Sequence, residues 1–142
     1  MYVDLPSPAE IRSLVEVTGT ACVSIYMPTT PQPGDAEAER IAFKNLSSDA
    51  VSQLTAAGTD KRDVAAFAEG LADLGDDPFF WRYQANSLVV LSTVDEVRAY
   101  RVANRLEPMG IKVGGHQASS ASMVSIMTAL WFATLESDDK VA

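Results

Sequence analysis

A chain of 142 residues, 47% hydrophobic and 21% charged, is about one domain long and can bury a usable core. Its formal charge of -8 argues against tight binding to nucleic-acid phosphate, DNA above all, which takes clustered Lys and Arg to displace counterions, though a local basic patch remains open. Its one cysteine, Cys22, cannot close an internal disulfide, and the longest weakly polar run, 123–135, falls short of the ~20 residues of a membrane-spanning helix. With Asp4 where a secretory leader would carry positive charge, the expectation is a soluble cytoplasmic chain with no membrane partner.

In chain order, Ser7-Pro8-Ala9-Glu10 predicts a helix start. Ser7 can cap the first amides, Pro8 fits the first helical position, and Glu10 stands where a capping box places its carboxylate. Ile11, Leu14 and Val15 then share a face, and Gly19 is a natural stop. The run CVSIYMP, rich in β-branched and aromatic residues, predicts a strand ended by Pro28. A Pro/Gly-containing loop leads to a second helix over about residues 35–57. Asp35, Glu37 and Glu39 suit the positive end of its dipole and read as a solvated face. Phe43, Leu46, Ala50 and Leu54 are its expected buried stripe, and Gly58 closes it. Asp60 caps a third helix with Val64, Phe67, Leu71 and Leu74 on one side. Gly75-Asp76-Asp77-Pro78 breaks that helix, with the two aspartates as turn and cap residues, and FFWRY follows as an aromatic cluster. SLVVLS and VRAYRV, joined by Thr93 to Glu96, predict an antiparallel hairpin.

This order predicts an α/β (α+β) domain over residues 1–108, with helices layered on a small mixed or antiparallel sheet. Val23, Ile25, Leu46, Phe67, Leu71, Val89 and Leu91 are expected between sheet and helices. From Met109 the character changes, and residues 109–142 read as a Gly/Ser-rich linker, an amphipathic helix and a frayed acidic end. Met123, Ile126, Met127, Leu130 and Trp131 fall on one helical stripe. A helix this short needs a surface to pack on. The stripe is therefore a candidate interface, with a second copy of the chain in a homodimer or with surface meant for a missing downstream domain.

Little in the chain points to catalysis. His116 is the only histidine, and no second His or Cys stands near it at metal-ligand spacing. Cys22 lies mid-strand, where a buried inert thiol is the default. There is no phosphate-binding loop or dinucleotide fingerprint, so no cofactor or metal is expected and a small hydrolase has no constellation behind it. Arg98, Arg101 and Arg105 with Tyr100 form the one basic cluster that includes an aromatic. These are the RNA-contact candidates. The plainer reading, favoured by the overall charge, pairs the arginines with Glu96 and Glu107.

CVSIYMPT at 22–29, the acidic loop after it and RIAFKNL at 40–46 form an informative combination, followed in order by DDPFFWR at 76–82, NSLVVLS at 86–92 and VRAYRVANRLEP at 97–108. Together they resemble the N-terminal domain of bacterial proteins related to the archaeal and eukaryotic class 1 peptide chain release factors, over roughly residues 4–108. The resemblance implies a cytoplasmic, ribosome-associated role in rescue or hibernation, with ribosome or tRNA as partner and with later domains supplying the active end. Where the archaeal and eukaryotic members carry a stop-codon-reading Asn-Ile-Lys-Ser turn, the nearest stretch here is Lys44-Asn45-Leu46-Ser47, with Leu46 in place of that motif's Lys. The peptide-releasing tip of that family is Gly-Gly-Gln. Gly114-Gly115-His116-Gln117 interrupts it with a histidine and is followed by Ala118 and serines rather than basic residues, so it reads as a turn in a non-catalytic chain.

Overall fold

The computed structural model describes residues 1–16, 21–106 and 109–114. Four antiparallel strands form the sheet: β1 (Cys22–Pro28), β2 (Ser87–Ser92), β3 (Val97–Val102) and β4 (Gly110–Gly114), in the order β3-β2-β1-β4. The sheet expected as mixed or antiparallel is thus antiparallel throughout, and the class is α+β. The linker expected from Met109 begins instead with β4, which pairs Ile111 with Ile25 and Val113 with Val23. Its five residues are bounded by glycine at both ends, the composition of a linker, yet Ile111 and Val113 alternate and pack against the core.

Helices cover both faces. On one lie α2 (Ala36–Ala56), α3 (Lys61–Asp76) and the short α4 (Pro78–Arg82). They close over Val23, Ile25, Met27, Leu88 and Val90 from the sheet, with Phe43, Ala50, Leu54, Phe67, Leu71 and Trp81 of their own. On the other lies α1 (Pro8–Val15), whose Leu14 packs with Val89, Leu91, Tyr100 and Val102. Val89 and Leu91 are buried between sheet and helix as expected, on the face that α1 covers. Strand side chains alternate between faces, and β2 is buried along its whole length, so its continuous apolar run serves two cores.

Local chemistry explains the element ends. Ser7 and Glu10 form the predicted reciprocal cap, with the Ser7 amide donating to Glu10 Oε2 at 2.7 Å and the Glu10 amide to Ser7 Oγ at 3.1 Å. The C-cap of α1 is Glu16, and the Gly19 expected to stop it lies outside the described residues. Gly58 after α2 has φ +82°, the left-handed conformation that favours glycine at a helix end. Asp77 Oδ1 accepts from the Phe79 and Phe80 amides and starts α4, which turns Trp81 inward against Phe43 at a ring separation of 5.2 Å. Trp81 Nε1 donates to the Leu74 carbonyl at 3.0 Å, so the indole is both buried and satisfied. Gly70 brings α3 close to β3: a Cβ there would stand 2.8 Å from Val97 Cγ2. No helix among the described residues is long and apolar enough to cross a membrane.

After β3, residues 103–106 of the link to β4 lie at the end of the sheet where β1 stops and β2 begins. Asn86 Nδ2 donates to the Ala103 carbonyl at 2.6 Å and the Leu106 amide to Ser87 Oγ at 2.6 Å, tying the link to the start of β2. Loops and the first turn of α2 meet at this end of the molecule.

Candidate functional site

The basic cluster of β3 does not form one surface. Arg98 and Tyr100 project to the α1 side, Arg101 to the other. Tyr100 is 5% exposed and belongs to the core under α1, so its ring offers no face for a base to stack on. Burial raises its pKa, against the pull of Arg98. Arg98 pairs with Glu96 at 2.9 Å, as the plainer reading had it, and touches Ser13 Oγ at 3.3 Å. Glu107, the other expected partner, lies outside the described residues. Arg105 is on the crossover link, close enough to Glu39 to lower that residue's pKa.

Arg101 holds the N-terminus. Its Nε donates to Asp4 Oδ2 at 2.8 Å and its Nη2 to Asp4 Oδ1 at 3.0 Å, a forked pair, while Nη1 reaches the Tyr83 carbonyl at 2.8 Å. The backbone follows: the Asp4 amide donates to the Arg101 carbonyl at 2.9 Å and the Arg101 amide to Asp4 Oδ2 at 2.8 Å. The guanidinium also lies over the Phe80 and Tyr2 rings, at 5.5 and 6.0 Å. Residues 2–4 thus form a strap, tied by the Tyr2 amide to the Gln84 carbonyl at 3.3 Å and by Asp4 to the outer edge of β3 at Arg101, an edge that would otherwise offer unpaired backbone groups there. Burial alone would raise the Asp4 pKa, but the Arg101 hydrogen bonds and charge outweigh it and hold the carboxyl below its ordinary value. Arg101→Ala is expected to cost about 1–2 kcal/mol, because a half-buried carboxylate loses its guanidinium donors and keeps only the backbone amide. Urea unfolding measures this, and loss of protection at the Asp4 amide in hydrogen exchange would report the strap's release. Unchanged stability would mean the strap adds nothing.

Lys44-Asn45-Leu46-Ser47 is mid-helix in α2, not in a loop. Lys44 pairs with Asp76 at 2.7 Å, Leu46 packs against the core, Ser47 is buried, and Asn45 faces solvent. A codon-reading tip needs several of these side chains free together, and the helix divides them between two sides. Gly115, His116 and Gln117, together with Met123, Ile126, Met127, Leu130 and Trp131, lie outside the described residues. Cys22 is buried, as expected of an inert thiol. Among the described residues no three His, Cys, Asp or Glu side chains converge as metal ligands do. An open groove of about 530 Å³ separates α3 from the β2–β3 turn, and Glu69, Asp73, Asp77, Asp95 and Glu96 stand on its walls. That field repels phosphate.

The residue that sequence reasoning missed is Glu39. Read as part of a solvated first turn, it is 8% exposed. It lies one turn before Phe43 on the stripe that α2 buries, and that spacing was the available signal. Oε1 accepts the Thr30 amide, while Oε2 is buried with no hydrogen-bond partner among the described residues. Thr30 Oγ1 donates to Asp35 Oδ2 at 3.2 Å, so two acidic side chains converge on Thr30. Burial first, then the negative charge of Asp35, push the Glu39 pKa up to about 7, against the opposing pulls of Thr30 and Arg105. Such a group exchanges a proton near neutrality, the property general acid–base catalysis uses. Its unpartnered oxygen is shut away from solvent, however, and so from a dissolved substrate.

No protein-family model and no curated protein matches the chain.

Proposed function

We propose that the chain is a non-catalytic binding domain that works on or beside the ribosome, in rescue, hibernation or translation quality control. The observation that carries this reading is the ordered set of segments, 22–29, 40–46, 76–82, 86–92 and 97–108, that resembles the N-terminal domain of release-factor-like bacterial proteins. In the fold these segments supply β1, the start of α2, α4, β2 and β3, which pack on one another. The resemblance thus spans one co-folded unit rather than scattered matches. The charge of -8 and the division of the β3 arginines between two faces favour contact with basic protein surfaces over bare RNA phosphate. Sucrose-gradient fractionation of cells expressing the tagged chain is the test. Co-sedimentation with ribosomal particles is expected, and a protein confined to the top fractions overturns the reading. Purified chain added to stalled ribosomes is expected to release no peptide. Release that Gln117→Ala abolishes would overturn its non-catalytic part.

A further inference from the structure

The β1–α2 loop is anchored firmly at Thr29 and, at its other end, only by a single exposed 3-10 turn, Pro33–Asp35, that leads into α2. Thr29 is fixed to the start of β2, its amide donating to the Asn86 carbonyl at 3.0 Å and its Oγ1 to the Ala85 carbonyl at 2.8 Å. Residues 31–35 are all exposed, so lifting them uncovers little apolar surface. Between these parts stands Thr30, whose amide is held by Glu39 Oε1. The charged groups that face Glu39 are Asp35, from the loop, and Arg105, from the β3–β4 link.

We propose that Glu39 is a proton-operated latch on the β1–α2 loop: protonated, it keeps residues 30–35 closed on α2, and ionised, it lets them lift away between Thr29 and the start of α2. Closure buries a carboxyl whose Oε2 has no donor among the described residues and sets it near the Asp35 carboxylate. The neutral acid tolerates both conditions. The carboxylate is relieved of both when the loop lifts and water reaches it. A deprotonated Glu39 is the better acceptor for the Thr30 amide, but the upward shift means that burial and like charge outweigh that bond. With a closed-state pKa of about 7 and an ordinary value of 4.5, the closed-to-open ratio falls by as much as about 300-fold as pH rises through this window. The latch holds whether or not the chain binds the ribosome.

Amide NMR and hydrogen exchange on the full chain, from pH 5 to 8.5, test it. The Thr30 amide shift is expected to titrate with a midpoint near 7, and its protection, corrected for the intrinsic rate, to fall by about tenfold or more from pH 5.5 to 8. Glu39→Gln, which cannot ionise, is expected to keep Thr30 protected at a constant level. Asp35→Asn removes the like charge and is expected to move the midpoint down, which carries the test if Glu39→Gln does not fold. Equal protection at both pH values, a midpoint near 4.5, an unmoved midpoint in Asp35→Asn, or a wild-type-like fall in Glu39→Gln overturns the proposal.

Discussion

Phe43→Ala is expected to cost about 3–5 kcal/mol of folding stability, a large share of the ~5–15 kcal/mol that a domain of this kind has to lose. Phe43 is fully buried at the centre of the larger core, against Trp81, with Leu54, Phe67 and Leu71 in the same cluster. Removing the ring leaves a void between the helical layer and the sheet that neither can collapse into without breaking strand pairing. Phe79 supplies the control. It is 73% exposed at the start of α4, and Phe79→Ala is expected to change stability by no more than about 0.5 kcal/mol. Urea unfolding followed by tryptophan fluorescence measures both, since Trp81 sits beside Phe43. A loss below about 1 kcal/mol for Phe43→Ala would mean that α2 does not anchor the core.

Glu39 is expected to make the whole fold weaker at alkaline pH. Its folded pKa, about 7, lies above the ordinary 4.5, so the folded chain binds more protons than the unfolded one between those values. The stabilisation is full below pH 4.5 and is lost as pH rises through 7, by as much as about 3–4 kcal/mol for a shift of this size. Asp4 acts in the opposite direction and in another window. Its lowered pKa gives stability that is present above its ordinary value of 3.8 and lost as pH falls below it. Stability is therefore expected to peak in mildly acidic solution. Urea midpoints at pH 5, 6, 7 and 8 measure the fall, and Glu39→Gln is expected to flatten it. A midpoint that does not change from pH 5 to 8 would remove Glu39 as the source.

The helices and the hairpin were legible because their signals are local. The Ser7–Glu10 cap, the Phe43-Ala50-Leu54 stripe, the Asp60 cap and the β2–β3 turn each lie within a few residues of one another in the chain. What the sequence hid depends on distant pairing. The apolar alternation of β4 is two residues long, Ile111 and Val113, and becomes a strand because β1 offers it an edge. Asp4 is an ordinary surface acid until the fold sets it beside Arg101. Tyr100 was grouped with the arginines by adjacency in the chain, although the two-residue period of a strand already separated it from Arg101. Glu39 gave conflicting signals. Its charge and place in the first turn pointed outward, its spacing to Phe43 pointed inward, and the spacing prevailed.

The central place of β1 in the sheet has a consequence for how the chain folds during synthesis. β1 emerges early, yet both its neighbours come late: Ile25 pairs with Val90 on one side and with Ile111 on the other. The contacts that can form first are the local ones, α2 against α3 and then the β2–β3 hairpin. Until β2 is made, the CVSIYM run waits with both edges unpaired, the state most open to pairing with another chain. Closing the sheet from such separated segments carries a large loop-closure cost, so folding is expected to be slow for the chain's size and completed by strand insertion on either side of β1. The early α2–α3 pair, with Phe43, Leu54, Phe67 and Leu71 exposed on one side, offers a surface on which β1 can shelter until its partners arrive.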